Sequence, residues 1–205
     1  MENLIKKHIS DNIKGYIFVV LFFVIGVIVG ASLVNGYPEK TGEYMKEFFL
    51  SSKNIYSSSE PDLTGVFKAA MRNSLKNSVL VWGLGFTVIG APVILLVILK
   101  CGFVSGFLCG FLFRIFSYKG LAAAGVIIFP QCLLYLPAMF FISCVSVKFS
   151  VTLLKMITGK TKYKVNLRYY ILRYVFYGFS VSVIMIVYSL AEAYIGANIL
   201  KLILT

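Results

Sequence analysis

The sequence predicts an all-α fold: a polytopic transmembrane helical bundle of about five spans, with an amphipathic lead-in helix and a proline-kinked fourth span. Three observations carry this. The 205 residues are 59% hydrophobic, with a mean hydropathy of +0.87, whereas soluble domains are about 45–50% apolar. The apolar residues form continuous runs of membrane-spanning length rather than alternating at helix or strand spacing. Almost all of the 20 Lys and Arg fall between those runs, where basic residues set topology. Residues 1–205 therefore read as a single integral membrane domain.

The first span is "GYIFVVLFFVIGVIVGASLV" (15–34), free of charge over its whole length. It is longer than the apolar core of a signal peptide, so it reads as an uncleaved span. Residues 35–78 follow as a polar outer stretch. Its first part, "PEKTGEYMKEFFL", can form a short helix, and the serine cluster with Pro61 reads as loop. Residues 63–79 then have the pattern of an amphipathic helix. Leu63, Val66, Phe67, Ala70, Met71 and Leu75 share one face, and Lys68, Arg72 and Lys76 recur every fourth residue on another. Such a helix either lies in the interface plane or is a solvated lead-in. The second and third spans are placed at 79–99 and 101–116, joined tightly through Lys100. The fourth is 120–147 and the fifth 174–200. Residues 148–173 form a basic connector with seven Lys and Arg and no acid.

The net charge of +12 is explained by topology and lipid rather than by nucleic acid, since no zinc pattern, basic helix or aromatic–basic platform accompanies it. The basic connector 148–173 is expected in the cytoplasm. Counting spans back and forward from it puts the N-terminus in the cytoplasm and the C-terminus outside.

Catalytic chemistry finds little material. The only histidine is His8, in the N-terminal tail. Cys101, Cys109, Cys132 and Cys144 are scattered through apolar runs, in neither a disulfide framework nor a metal-ligand spacing. The chain reads as a non-enzyme without cofactor or metal. Gly26 and Gly30 in the first span, and Gly102, Gly106 and Gly110 in the third, are small residues at four-residue spacing. Such spacing lets helix backbones approach closely, either within the bundle or against a partner; a close antiparallel pair of the second and third spans is the expectation. Glu192 and Arg114 are ionisable groups in or beside apolar runs. They mark either an intramembrane polar site or side chains reaching the headgroups. Pro92, Pro130 and Pro137 interrupt the helical ladder. Gln131 is placed to satisfy the backbone groups freed there, as a structural kink or as part of a substrate site.

The order of these features resembles the stage II sporulation protein M family and its wider group of membrane proteins. A basic start, one span, an outer polar loop, an amphipathic lead-in containing Asn77, a span with Gly102 and Gly106, and a proline-broken span ending in Pro-Ala all match. The wider group carries a signature of the form P-H-G-x-x-E-x-P-A. Here it reads Pro130-Gln131-Cys132-Leu133-Leu134-Tyr135-Leu136-Pro137-Ala138, so the prolines and alanine match and the polar positions depart at Gln131, Cys132 and Tyr135. The resemblance implies a membrane scaffold for engulfment during endospore formation, at the sporulation septum. Its partners would be stage II sporulation proteins D and P, which degrade septal peptidoglycan. The alternative is a membrane subunit of a small transporter or ATPase-coupled permease.

Overall fold

Among the described helices, four are long and apolar enough to cross a membrane: Ile13–Val34, Gly90–Ile115, Gln131–Ile157 and Arg168–Tyr194. A computed structural model describes residues 2–36, 63–158 and 167–204. They form α1 (Glu2–Asn35), α2 (Leu63–Gly85), α3 (Gly90–Pro130), a π-helical turn (Gln131–Tyr135), α4 (Leu136–Ile157) and α5 (Leu167–Leu204). The expected short helix and loop between α1 and α2 lie outside the described residues.

Residue pairings fix the direction of each helix. Gly102, Gly106 and Gly110 of α3 lie against Phe23, Val27 and Ala31 of α1, so α1 and α3 are parallel. Ser74 of α2 bonds Ser189 of α5, and Tyr174 of α5 bonds the Trp82 carbonyl of α2, so this pair is antiparallel. Tyr135 lies by Cys101, and Ser150 by Thr87 and Ala91; α4 therefore runs antiparallel to α3. Helix α2 thus follows the length of the bundle, although it is less apolar than the other four. With it the chain crosses the bundle five times, and α1 begins at the opposite end from the one where α5 finishes. Lys14, Lys148, Lys155, Arg168 and Arg173 gather at one end, called the basic end below; Val34, Arg114 and Glu192 lie toward the other.

The second and third crossings differ from the sequence reading. No turn forms at Lys100. Gly90–Ile115 is one continuous stretch, because a single lysine is a good helix former and no breaker accompanies it. The turn is instead at 86–89, where the Thr87 hydroxyl donates to the Leu84 carbonyl at 2.7 Å and the Gly90 N–H reaches Thr87. A Cβ on Gly90 would lie 2.8 Å from the Leu84 carbonyl carbon, so the chain can close only with glycine there. Pro92 does not break a span. It sits in the first turn of α3, where a missing N–H leaves no bond unmade. Residues 79–85 therefore complete α2, which removes 79–99 as a separate span.

The fourth crossing also moves. Ser117, at φ 52° and ψ −132°, ends the regular path of α3 in a region that residues other than glycine rarely adopt. The helical path resumes to Pro130, and the crossing proper is Gln131–Ile157 rather than 120–147. The kink between Pro130 and Pro137 takes the form of the π turn, with Pro137 in the first turn of α4. The expected connector 148–173 shortens as well. Helix α4 runs to Ile157 and α5 begins at Leu167, so Lys148, Lys155, Arg168 and Arg173 are helical residues. Lys160, Lys162 and Lys164 lie outside the described residues.

The core draws on every helix. Val19, Val81, Ile94, Ile98, Met139, Ile142, Val181 and Met185 are each at most 1% exposed. A second aromatic cluster closes the basic end, with Tyr174 stacked on Phe149 at 4.3 Å. Outward faces carry exposed Leu, Ile, Val and Phe, including Phe18, Leu21 and Ile28 on α1 and Leu172, Phe176 and Phe179 on α5. Lipid tails are the solvent such faces suit.

Candidate functional site

Near mid-depth, three helices and the π turn contribute to one polar cluster. The Asn77 amide of α2 donates to the Tyr135 hydroxyl at 3.1 Å, and Cys101 Sγ of α3 lies 3.7 Å from the same oxygen. The Tyr135 ring packs against Tyr188 of α5, with centroids 5.2 Å apart. Glu192, one turn further along α5, lies beside Tyr188 and Tyr135. Ser74 and Ser189, both almost fully buried, share a hydrogen bond of 3.0 Å beside them, and Ser189 also bonds the Met185 carbonyl.

Local sequence explains why Tyr135 reaches this place. Pro137 cannot close the turn before it with an N–H, and the ladder widens there into the π turn. The wider turn leaves Tyr135 buried at 4% exposure, while Cys132 and Leu133 face outward. Buried in an apolar bundle, the Tyr135 hydroxyl requires partners, and α2 and α3 supply them. The cluster joins α2, α3 and α5 to the π turn through neutral hydrogen bonds worth about 1 kcal/mol each.

The structure therefore brings Asn77, Tyr135 and Glu192 together, although they are far apart in sequence. Gln131 is half-buried at the start of the π turn, and its side chain bonds no described residue. The helical ladder widens over Gln131–Tyr135, between the two prolines. Arg114 is also separate. Its guanidinium donates to the Val34 carbonyl of α1, tying α1 to α3 at the far end.

The glycine rows meet each other, which corrects the expected pairing of the second and third spans. A Cβ on Gly26 would lie 2.9 Å from Phe103 N, on Gly30 2.8 Å from Phe107 N, and on Gly106 2.7 Å from Val27 backbone atoms. Each row fits against the backbone of the other helix, so the partner of Gly102 and Gly106 is α1. The packing is complementary because both helices carry glycines four residues apart.

Sequence reasoning missed the serines. Apart from the tyrosine hydroxyls, the buried polar side chains among the described residues are serines: Ser74, Ser78, Ser105, Ser143, Ser146, Ser150 and Ser189. Ser150 is the clearest in effect. Ile89, the residue before α3, has no side chain to cap the helix. Ser150 accepts the Ala91 N–H at 3.2 Å and donates to the Thr87 carbonyl at 2.8 Å, acting as a cap from another helix. The signal was present: serines at helical spacing within apolar runs, the small polar residues that join membrane helices.

A charged face lies beside the cluster. Lys68, Arg72 and Lys76 of α2 are all exposed, with Asn73 among them. Lys76 adjoins Asn77, whose chain of contacts leads through Tyr135 to Cys101, near the middle of Gly90–Ile115. These cations therefore run from the far end of the bundle to about its middle. Among the described residues no group of three His, Cys, Asp or Glu is placed to hold a metal.

The family model described as Stage II sporulation protein M matches residues 19–196. That stretch takes in the glycine rows, the α2 face, the π turn and the polar cluster. The chain matches no curated protein and no solved structure.

Proposed function

This chain belongs to the stage II sporulation protein M family and is a sporulation-related, multi-pass membrane protein, and we propose that it is a non-catalytic scaffold for engulfment. In this reading it recruits stage II sporulation proteins D and P and anchors them at the septum, where they degrade peptidoglycan. The basic end faces the cytoplasm, and the far end, where α2 begins, faces the partners.

The observation that carries the reading is the α2 face. A cation near the middle of a membrane helix costs about 3 kcal/mol on insertion scales. Lys68 can extend to the far interface, but Lys76 is too deep. A face that suits lipid poorly and presents cations every fourth residue suits a protein segment bearing carboxylates. The polar cluster beneath it is engaged in joining helices and fixes α2 against α5.

The test is recovery of partners with the tagged chain from sporulating membranes. The wild type is expected to recover both peptidoglycan-degrading proteins. A triple substitution Lys68→Gln, Arg72→Gln, Lys76→Gln should lose them while keeping its membrane level and unfolding temperature. Recovery of an ATPase in their place, with partner localisation unchanged in a deletion strain, would sink the scaffold reading. Full recovery by the triple variant would remove α2 as the docking face.

A further inference from the structure

At the basic end a cavity of about 100 Å³ opens between α4 and α5. Lys148 and Thr152 line it from α4, and Tyr170, Arg173 and Tyr177 from α5; Phe149 is among the residues behind them. Among the described residues no carboxylate lines it. The only described carboxylate side chain on α5, Glu192, is 19 residues from Arg173, about 28 Å along the helix.

The cations are set in different ways. Arg173 Nε donates to the Tyr177 hydroxyl at 2.7 Å, and the guanidinium carbon lies 5.5 Å from the Tyr177 ring centre. This holds the guanidinium at the cavity while its Nη groups bond no described residue. A guanidinium so held offers the paired donors that match phosphate oxygens, and a lysine adds a point charge. The depth is also specific. Ser150, half a turn from Lys148, bonds the start of α3, and Gly15 of α1 is close to Cys144. The cavity thus lies where the spans reach the headgroup layer. Leu172, Phe176 and Phe179 are each more than 60% exposed on the same helix as Arg173, an apolar surface along which acyl chains can lie.

We propose that this cavity between α4 and α5 binds the phosphate of an anionic phospholipid headgroup, from the leaflet at the basic end. The chemistry recognised is a phosphate ester with a net negative charge. Basic pockets between membrane helices on the cytoplasmic side are suited to such headgroups. The site is remote from the α2 face, so it stands or falls independently of partner recruitment.

Native mass spectrometry of the full chain in neutral detergent tests this, with phosphatidylglycerol, phosphatidylcholine and inorganic phosphate as probes. Phosphatidylglycerol is expected to bind in preference to phosphatidylcholine. Replacing both cations, Lys148→Gln with Arg173→Gln, should weaken phosphatidylglycerol about thirty-fold. The charge-matched pair Lys155→Gln with Arg168→Gln, outside the cavity, should change it less than about three-fold. Equal binding of the two lipids overturns the proposal, as does an equal loss in both double variants, which would mean a diffuse field. Displacement of the lipid by millimolar inorganic phosphate overturns the lipid source in favour of a soluble phosphate. If the cavity variant loses cooperative unfolding, Tyr170→Trp, which fills the mouth and keeps both cations, takes its place. The same weakening is then expected, and unchanged affinity overturns the proposal.

Discussion

Replacing Gly106 by alanine should separate α1 from α3. The added methyl would lie 2.7 Å from Val27 backbone atoms, and carbon atoms pack best at about 3.5–4.0 Å. The Val27 carbonyl oxygen is closer still, so restoring ordinary contact requires the two backbones to part by about 1 Å at that point. No rotamer change can absorb this, because the obstructing atoms are main chain. The displacement also loosens the contacts of Gly26, Gly30 and Gly102 on either side. Overpacking of this kind costs about 2 kcal/mol, which for a chain of this size lowers the unfolding midpoint by about 4–8 °C. Gly110→Ala should cost under about 1 kcal/mol, since its nearest atoms are 3.2 Å away and have only a few tenths of an ångström to give. Gly83→Ala is the opposite control. Nothing lies within 4 Å of its added Cβ, and alanine favours a helix over glycine by about 0.8 kcal/mol, so this variant should be stabilised. The measurement is thermal unfolding of the purified chain in one detergent, followed by circular dichroism. If Gly106→Ala unfolds at or above the wild-type temperature, or no lower than Gly83→Ala, the close approach of α1 and α3 is wrong.

Four further outcomes can be checked. Tyr135→Phe should cost about 1 kcal/mol by stranding the Asn77 amide; adding Asn77→Leu should cost less than the sum of the two changes, and strict additivity in the double-mutant cycle would mean that the two side chains do not interact. Gln131→Leu, by contrast, should stay within about 0.5 kcal/mol of wild type in the same unfolding assay, because the amide supports no described group. Ser150→Ala should destabilise by about 1 kcal/mol through loss of the α3 cap, and an unchanged midpoint would show that water serves Ala91 equally well. In a cysteine-free background, a cysteine at Gly36 should react with an impermeant thiol reagent in intact cells and one at Thr158 only after lysis; the reverse pattern would invert the proposed orientation.

The membrane class and the first span were legible because long uncharged runs need no tertiary information; the fifth was placed at 174–200, whereas the structure puts it at Arg168–Tyr194, because Arg168 and Arg173 were read as connector rather than as the first turns of the helix. The glycine rows were legible as close-packing surfaces but not as a pair. Spacing shows that a helix can be approached closely, and only the fold shows by which neighbour. The Lys100 turn was an error of a definite kind. A charge between apolar runs resembles a boundary, yet a lysine on an outward face can sit within a helix. The true boundary at 86–89 is written in Gly85, Thr87, Gly90 and Pro92, where backbone permissiveness and a proline in the first turn of α3 outweigh hydropathy.

Helix α2 shows why part of the candidate site was hidden. Its average hydropathy is lowered by Lys68, Arg72 and Lys76, so a reading by composition puts it beside the membrane. Its buried face, however, carries Ser74, Ser78 and Val81, with Asn77 half-buried beside them. Their hydrogen-bonding partners, Ser189 and Tyr135, are on α5 and on the turn before α4. A helix whose inward side bonds to two other elements along its length can hold a position inside the bundle that its outward side would not secure in lipid. The amphipathic pattern was therefore real but its two faces were assigned the wrong surroundings. The apolar and serine-bearing face meets protein, and the cationic face lies at a depth that suits lipid poorly. That is why the polar cluster and the charged face belong to one arrangement: the first fixes the depth of α2, and the second is what, in the proposed reading, that depth offers to a partner.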